Sequence, residues 1–123
     1  MKKRPANEFF HVYVLFSDST AMVKVGRTNN RNRTISLGRM GYAGASDWVH
    51  LASFPVTSNH EAIALESMVM ARLCNQGHKL PRLNWRNLKD SRASFADECF
   101  SCSAEHAIAV AEYMSNVLHK HVR

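Results

Sequence analysis

The sequence contains few of the residues that mark fibrous, disordered or disulfide-bonded chains. Of 123 residues, only 5 are Gly, 3 are Pro and 3 are Cys. Because 46% of the residues are hydrophobic as well, the composition excludes a collagen-like or disordered chain and predicts a folded protein. An odd number of cysteines cannot form a complete disulfide framework, so we expect a reducing compartment such as the cytoplasm.

The chain also lacks an apolar run near the roughly 18 residues that span a bilayer. Its basic start, Met1-Lys2-Lys3-Arg4, is not followed by a long apolar segment, so we expect neither membrane insertion nor secretion. Acidic residues are the scarcer charge, and 10 Asp+Glu against 16 Lys+Arg give a formal net charge of +6. This excess predicts a polyanionic partner, although a basic surface that only keeps the protein soluble fits the composition equally well.

Runs of β-branched and aromatic residues indicate three strands. The first runs from Phe9 to Phe16 and the second from Ala21 to Val25, and the polar turn between them predicts a β-hairpin. A third strand, Trp48 to Phe54, is stopped by Pro55.

A short helix is expected after the hairpin. It would extend from Asn29 to Leu37, with Asn29 or Asn30 as its cap, and it would end at Gly38 or Gly41.

Two longer helices are expected later in the chain. Ser58-Asn59-His60-Glu61 is a capping box and predicts a helix to about Cys74, and a further helix should start at Ser103 and continue past Leu118. Residues 78–97 between them are too polar and too basic for a core, and we predict a long loop. The expected apolar positions of the two helices are Ile63, Leu65, Val69, Met70 and Leu73, and then Ala107, Ile108, Ala111, Met114 and Leu118.

These elements predict one α/β (α+β) domain over residues 1–123. A small three-stranded antiparallel sheet flanked by about three helices would bury the apolar faces with short connections. The folded core would cover about residues 10–118, preceded by a basic tail over residues 1–8.

Four residues carry side chains suited to chemistry. Tyr13 lies in the first strand and Lys24 at the end of the second, so the hairpin brings them near one end of the sheet, although two strands alone leave open whether they share a face. Arg33 follows on the short helix. Glu66 stands in the apolar sequence AIALESMVM, where a buried carboxylate must be paired, hydrogen-bonded or bound to a metal.

The order of these residues resembles the GIY-YIG endonuclease superfamily. His11-Val12-Tyr13 stands where the family has Gly-Ile-Tyr, and Lys24-Val25-Gly26 stands where it has Tyr-Ile-Gly, with Gly26 thirteen residues after Tyr13. The chain is most similar to a phage and bacterial branch whose second motif is Lys-Ile-Gly followed by a Thr, as in Gly26-Arg27-Thr28. Ala62-Ile63-Ala64-Leu65-Glu66 and Glu98-Cys99-Phe100 resemble the same branch, so the resemblance covers almost the whole chain.

The resemblance implies a GIY-YIG-like fold and a DNA endonuclease or nickase that depends on Mg²⁺ or Mn²⁺. It also implies that the cytoplasm is that of a bacterial or phage-infected host cell. Glu66 would hold one metal ion on the scissile phosphate, and Arg33, with Arg31 as a competitor, would pair with the phosphate oxygens. Tyr13 would position or deprotonate the attacking water, and Lys24, which stands in place of the second tyrosine, would activate that phenol or act as a donor.

Each of these residues also has a purely structural interpretation. Tyr13 would then be a half-buried strand aromatic, Lys24 and Arg33 would be surface cations, and Glu66 would pair with Arg72 or Lys24. The corresponding alternative function is a domain of the same fold that has lost cleavage and binds DNA or blocks a nucleic-acid enzyme.

The cysteines suggest a third function, a small zinc-stabilised adaptor. Cys99 and Cys102, together with Cys74 and His78, have a spacing that a three-Cys, one-His zinc site tolerates. Small apolar side chains at helix ends pack in the same way without any metal, so both interpretations stay open.

Residues 79–92 carry five cations and one acid around Trp85. Cations neutralise phosphates and an aromatic ring stacks against bases, so we predict contact with DNA, mostly with its backbone. The alternative is a solvated loop whose Trp85 and Leu88 pack on the core. A domain of this size has little surface for a long site, so specificity would need a homodimer or a protein partner. The expected DNA contacts are Arg27, Arg31, Arg39, Lys79, Arg82, Trp85, Arg86 and Lys89.

Overall fold

The computed structural model describes residues 10–30 and 32–122. The expected N-terminal tail, Phe9 and Arg31 therefore lie outside the described residues. The mixed α+β class predicted from the sequence is confirmed. In chain order the elements are β1 (His11–Ser17), β2 (Met22–Thr28), α1 (Arg33–Met40), a 3₁₀ turn (Tyr42–Gly44), β3 (Trp48–Pro55), α2 (Asn59–Asn75), β4 (Leu83–Arg86), β5 (Ala93–Ala96), β6 (Cys99–Phe100) and α3 (Ala104–Val122).

The main sheet is antiparallel, with strand order β3-β1-β2-β6. The expected hairpin is present, and β1 pairs with β2 over its whole length, from the His11–Thr28 pair to the Ser17–Met22 pair. All three predicted strands are present, although β2 continues past Val25 to Thr28 and β3 includes Pro55, which was expected to stop it. Strand β6 adds a short fourth strand that was not expected.

Both faces of this sheet are covered, because alternate residues of β1 belong to different apolar clusters. Val12 and Val14 belong to the helical core, which α2 and α3 cover, whereas Tyr13 and Leu15 belong to the hairpin core. The buried members of the helical core are Val12, Val14, Val23, Val25, Val56, Ala62, Leu65, Val69, Leu73, Phe100, Cys102, Ala107, Val110, Ala111 and Leu118. Those of the hairpin core are Tyr13, Leu15, Met22, Leu37, Tyr42, Ala43, Ala45, Trp48, Ala96 and Cys99.

Residues 78–97 contain the β4–β5 hairpin, so the prediction of a long loop is wrong. Trp85 pairs with Ser94 in register, and alternate residues of the two strands point inward. Leu83, Trp85 and Ala96 pack with the hairpin core, while the strand residues that alternate with them, Asn84, Arg86, Ala93 and Phe95, are exposed. In a half-buried strand, polar and apolar residues alternate with a period of two. The segment has this pattern, but its high charge made it resemble a solvated loop in the sequence.

Helix α1 begins at Arg33, later than expected. The preceding residues form turns that are stabilised by hydrogen bonds from the backbone to side chains. Thr28 Oγ1 accepts a hydrogen bond from the Asn30 N–H at 2.9 Å, and Asn30 Oδ1 accepts one from the Asn32 N–H at 2.9 Å. The helix ends at Gly41, one of the two expected ends, where φ is 73° and the left-handed conformation favours glycine.

Helix α2 is confirmed close to its expected bounds, at Asn59–Asn75. Ser58 Oγ accepts the Glu61 N–H at 3.2 Å, while Glu61 Oε1 accepts the N–H of Thr57, one residue ahead of the cap, at 3.1 Å. Ile63, expected on the apolar face, is 40% exposed.

Helix α3 begins at Ala104, and the Ser103 hydroxyl accepts the N–H of His106 at 3.1 Å, which confirms the expected start. Within residues 10–30 and 32–122, no helix has the length and apolar character needed to cross a membrane.

Candidate functional site

Four of the residues singled out from the sequence line one cleft of about 440 Å³. Strand β1 supplies Tyr13, strand β2 supplies Lys24, the first turn of α1 supplies Arg33, and the middle of α2 supplies Glu66. The fold therefore brings together four side chains from four separate elements.

Tyr13 and Lys24 share one face of the sheet, which the sequence left open. Tyr13 pairs across the hairpin with Gly26, and Leu15 pairs with Lys24, so all four side-chain positions lie on the same side. The Tyr13 ring lies so close to Gly26 that a Cβ atom there would be 2.3 Å from the phenol oxygen. Position 26 therefore requires a glycine because another side chain crosses it.

Lys24 is a buried cation, with 2% of its surface exposed. Its Nζ donates a hydrogen bond to Glu98 Oε1 at 2.7 Å. The same nitrogen lies 4.6 Å from the ring centroid of Tyr42 and 5.7 Å from that of Tyr13. A buried ammonium needs such partners, because an uncompensated charge in the interior is strongly destabilising.

The environment of Lys24 keeps its amine protonated. Burial lowers the pKa of Lys24, but Tyr13, Tyr42 and Glu98 outweigh that effect and raise the pKa above its ordinary value of 10.5. Burial also raises the pKa of Tyr42 to about 12. Lys24 is thus a fixed positive charge at neutral pH and not a base.

Glu66 is a buried carboxylate, with 5% of its surface exposed. Its Oε1 accepts a hydrogen bond from Arg27 Nη1 at 2.8 Å, so the ion-pair partner is Arg27 and neither Arg72 nor Lys24. Burial and the nearby charge of Glu98 raise the pKa of Glu66, and Arg27 opposes that shift. Two carboxylates from distant segments therefore converge on the cleft.

The cleft has more positive than negative lining residues. Its charged lining residues are the cations Lys24, Arg27 and Arg33 and the carboxylates Glu66 and Glu98. Polar side chains of Thr28, Asn29, Asn30 and Asn59 also line it. Cations in the lining can contact an anionic ligand, and the carboxylates beside them can contact a metal ion bound to that ligand.

Glu66 and Glu98 are the carboxylates that a cation in this cleft would meet. Mg²⁺ typically uses one or two protein carboxylates and keeps water and substrate phosphate as its other ligands. Across the described ranges, no group of three or more His, Cys, Asp or Glu side chains could hold a metal by itself. The donor set therefore fits a Mg²⁺ ion that is shared with a phosphate.

The zinc ligands considered from the sequence do not form a site among the described residues. Cys99 packs in the hairpin core and Cys102 in the helical core, whereas Cys74 is exposed on α2. Burial raises the pKa of both buried thiols, which favours the neutral thiol over the metal-binding thiolate.

The expected DNA-contacting cations lie in different places. Arg27 lines the cleft with 39% of its side chain exposed, and Arg39 is exposed in the last turn of α1. Lys79 is turned toward the backbone of the next residue, where its Nζ donates a hydrogen bond to the Leu80 carbonyl at 2.6 Å. Arg31 is outside the described residues.

Arg82, Arg86 and Lys89 are exposed on the β4–β5 hairpin, as expected of residues that meet solvent or nucleic acid. Trp85 points the other way, and its ring centroid lies 5.5 Å from that of Tyr42. Its buried Nε1 has no hydrogen-bond partner within the described part of the chain. Trp85 therefore packs the hairpin onto the core, as the alternative interpretation expected, whereas Leu88, which was expected to do the same, is 67% exposed.

Sequence reasoning missed Glu98 and Tyr42 as parts of the site. The available signal was Lys24 itself, because an amine in the apolar strand sequence MVKVG needs a carboxylate partner when it is buried. This signal predicts that an acidic residue pairs with Lys24. It does not identify that residue, because the partner is distant in sequence.

Comparison of the chain with protein-family models, with curated proteins and with solved structures found no match.

Proposed function

We propose that this protein hydrolyses phosphodiester bonds in DNA, as an endonuclease or nickase. The observation that carries the proposal is the convergence of Tyr13, Lys24, Arg33 and Glu66 on one cleft. These four residues were chosen from the sequence, without knowledge of which side chains lie close together in the fold. Their resemblance to the GIY-YIG superfamily supports the same reaction.

The chemistry requires three tasks of the chain. A water must lose a proton and bond to phosphorus, and the bond to the leaving oxygen must break as that oxygen takes up a proton from solvent. The phosphate must be held while its negative charge grows. We assign Arg33 to the phosphate oxygens, since a planar guanidinium pairs with two of them. We assign Tyr13 to positioning or deprotonating the water, and Lys24 to stabilising negative charge near the phenol.

Glu66, with Glu98 beside it, is the residue to which we assign Mg²⁺. A bound Mg²⁺ would supply positive charge at the phosphate oxygens and so stabilise the developing negative charge. Arg27 engages Glu66 Oε1, so the second oxygen, Oε2, is the atom that we assign to the ion. Arg27 then has two roles, holding the carboxylate in place and adding a cation at the cleft.

One observation favours a second candidate, a module that binds nucleic acid without cleaving it. Glu66 already has a cationic partner at 2.8 Å and Lys24 an acidic one at 2.7 Å, so both charges are compensated within the protein.

A plasmid-nicking experiment tests the proposal. Supercoiled plasmid incubated with the wild-type protein and Mg²⁺ should become open-circular or linear, and EDTA should prevent this. Glu66→Gln keeps the size of the side chain and should lower the rate by at least about 100-fold, because it removes the negative ligand. Glu112→Gln, an exposed site on α3, removes the same charge and should cleave at the wild-type rate.

The same experiment separates the two candidates. A wild-type protein that binds the plasmid but does not cleave it with Mg²⁺ or Mn²⁺ would establish the binding module and overturn the nuclease. A folded Glu66→Gln variant that cleaves at the wild-type rate would overturn the metal assignment.

A further inference from the structure

The outer face of the β4–β5 hairpin is the solvent side of its two strands. Asn84 and Arg86 of β4 lie on it opposite Phe95 and Ala93 of β5, and Arg82 continues the row one step before β4. The opposite face packs with the hairpin core, so this face is held on a fixed support.

Phe95 is the aromatic residue that this outer face exposes, with 59% of its surface open to solvent. Its cross-strand partner is Asn84, and its diagonal neighbours are Arg82 and Arg86. The Arg82 guanidinium lies 5.0 Å from the centre of the ring. The Arg82 guanidinium beside the ring combines a stacking surface with a charge that neutralises phosphates. Arg86, whose Nη1 donates a hydrogen bond to the Ser91 carbonyl, adds a second exposed cation on the same face.

Arg82 also contacts Asp97, with Nε to Oδ1 at 2.9 Å. The side chains of this pair are 60% and 51% exposed, and an exposed pair of this kind contributes little to stability. Asp97 therefore orients Arg82 beside Phe95 without preventing it from binding a phosphate.

The hairpin that carries the outer face is connected to the cleft in two ways. Trp85, on the inner side of the same hairpin, packs on Tyr42, whose ring contacts the Lys24 amine. Along the chain, Glu98 follows Phe95 by three residues, or about 10 Å of extended backbone.

We propose that the outer face binds unpaired nucleotides, with a base stacked on Phe95 and phosphates paired with Arg82 and Arg86. Bases within a duplex are stacked on one another and do not reach a ring on a protein surface, so Phe95 selects single-stranded segments. If the cleft cleaves DNA as proposed above, its substrate is DNA that contains a single-stranded segment. That part of the inference rests on the proposed function.

Binding measured without metal tests this proposal apart from cleavage. Fluorescence anisotropy in EDTA compares a thymidine oligonucleotide of about 12 nucleotides with a duplex of the same length. The variant is Phe95→Ala. Its matched control is Tyr113→Ala on α3, because Tyr113 is 58% exposed and Arg72 lies 5.9 Å from its ring centre.

Phe95→Ala should weaken binding of the single strand roughly tenfold or more and leave duplex binding within about twofold, because it removes stacking but no charge. Tyr113→Ala should change neither affinity. Phe95→Trp should restore single-strand binding, whereas Phe95→Leu, which is apolar without an aromatic face, should not.

Three results would overturn the proposal: an unchanged single-strand affinity in folded Phe95→Ala, an equal loss on single strand and duplex, or an equal loss in Tyr113→Ala. A protein that binds single strands through Phe95 but never cleaves DNA would leave this inference standing and refute the nuclease. A protein that cleaves DNA but binds single strands equally well without the Phe95 ring would support the nuclease and refute this inference.

Discussion

Gly26 is the residue on which the placement of Tyr13 in the cleft depends. A Cβ atom at this position would lie 2.3 Å from the phenol oxygen and 2.5 Å from Cζ of Tyr13. Because Tyr13 is 2% exposed, its ring has little room to move aside. The glycine and the tyrosine therefore act as a pair.

We predict that Gly26→Ala lowers the free energy of unfolding by about 1 to 3 kcal/mol, because the added methyl group overpacks a closed site. Urea denaturation measures this change. In a Tyr13→Ala background the ring is gone, so Gly26→Ala should cost much less, and a double-mutant cycle would show the coupling. Additive effects would mean that the ring does not constrain position 26.

Glu66 gives the site a pH dependence whose sign follows from its burial. Burial and Glu98 raise the pKa of Glu66 in the folded protein above its ordinary value of 4.5. The folded state therefore binds this proton more tightly, and the stability contributed by Glu66 is present below that value and lost as the pH rises through the folded pKa.

We predict that Glu66→Gln becomes more stable relative to wild type as the pH rises from about 4 to about 7, since glutamine cannot ionise. Urea denaturation at a series of pH values measures the difference. Glu112→Gln, at an exposed position of α3, should show a smaller change over the same range. A change of opposite sign would mean that the Arg27 ion pair outweighs burial.

At the scale of elements, the two faces of the β4–β5 hairpin have different roles: one packs on the core and the other meets solvent. Its inner side packs Leu83, Trp85 and Ala96 with the core. Arg86 and Lys89 are exposed, and although Arg86 Nη1 donates a hydrogen bond to the Ser91 carbonyl, both charges lie at the surface where phosphates can reach them.

We predict that replacing Arg86 and Lys89 together by Gln weakens DNA binding across unrelated sequences. The slope of log affinity against log salt should flatten by about 0.9 for each duplex phosphate that the variant no longer neutralises. The matched control replaces Arg72 and Lys120, which are exposed on α2 and α3, and it should leave the slope unchanged. An equal flattening in both double mutants would indicate general charge attraction without a hairpin site.

For the whole molecule, the fold depends on apolar packing on both faces of the main sheet. The helical core and the hairpin core together account for the buried cysteines, and all three cysteines are free. Thiols that pack as small apolar side chains do not need a metal for stability.

We predict that a chelator does not shift the melting temperature and that elemental analysis finds well below one zinc ion per chain. Thermal unfolding with and without EDTA and metal analysis of the purified protein measure these two quantities. A stoichiometric zinc ion, together with loss of the fold on chelation, would contradict the apolar packing role of Cys99 and Cys102.

The sequence by itself predicted the elements whose signals are local. Strands β1 to β3 follow from runs of β-branched and aromatic residues, α2 from its Ser58 cap, and α3 from an apolar face, because each signal lies within a few neighbouring residues. The four cleft residues were grouped by the resemblance, which matches residue types in a given order along the chain. The β4–β5 hairpin was missed because its charges concealed a two-residue period.

Only the tertiary structure decided which charges meet. Lys24 and Glu98 are 74 residues apart, and Arg27 and Glu66 are 39 apart, yet each pair forms a hydrogen bond shorter than 3 Å. The approach of Tyr13 to Gly26 and the exposure of Phe95 instead of Trp85 likewise depend on strand register and on which face packs inward. Local periodicity determines an element, but contacts between distant segments arise when those elements bury their apolar faces against one another.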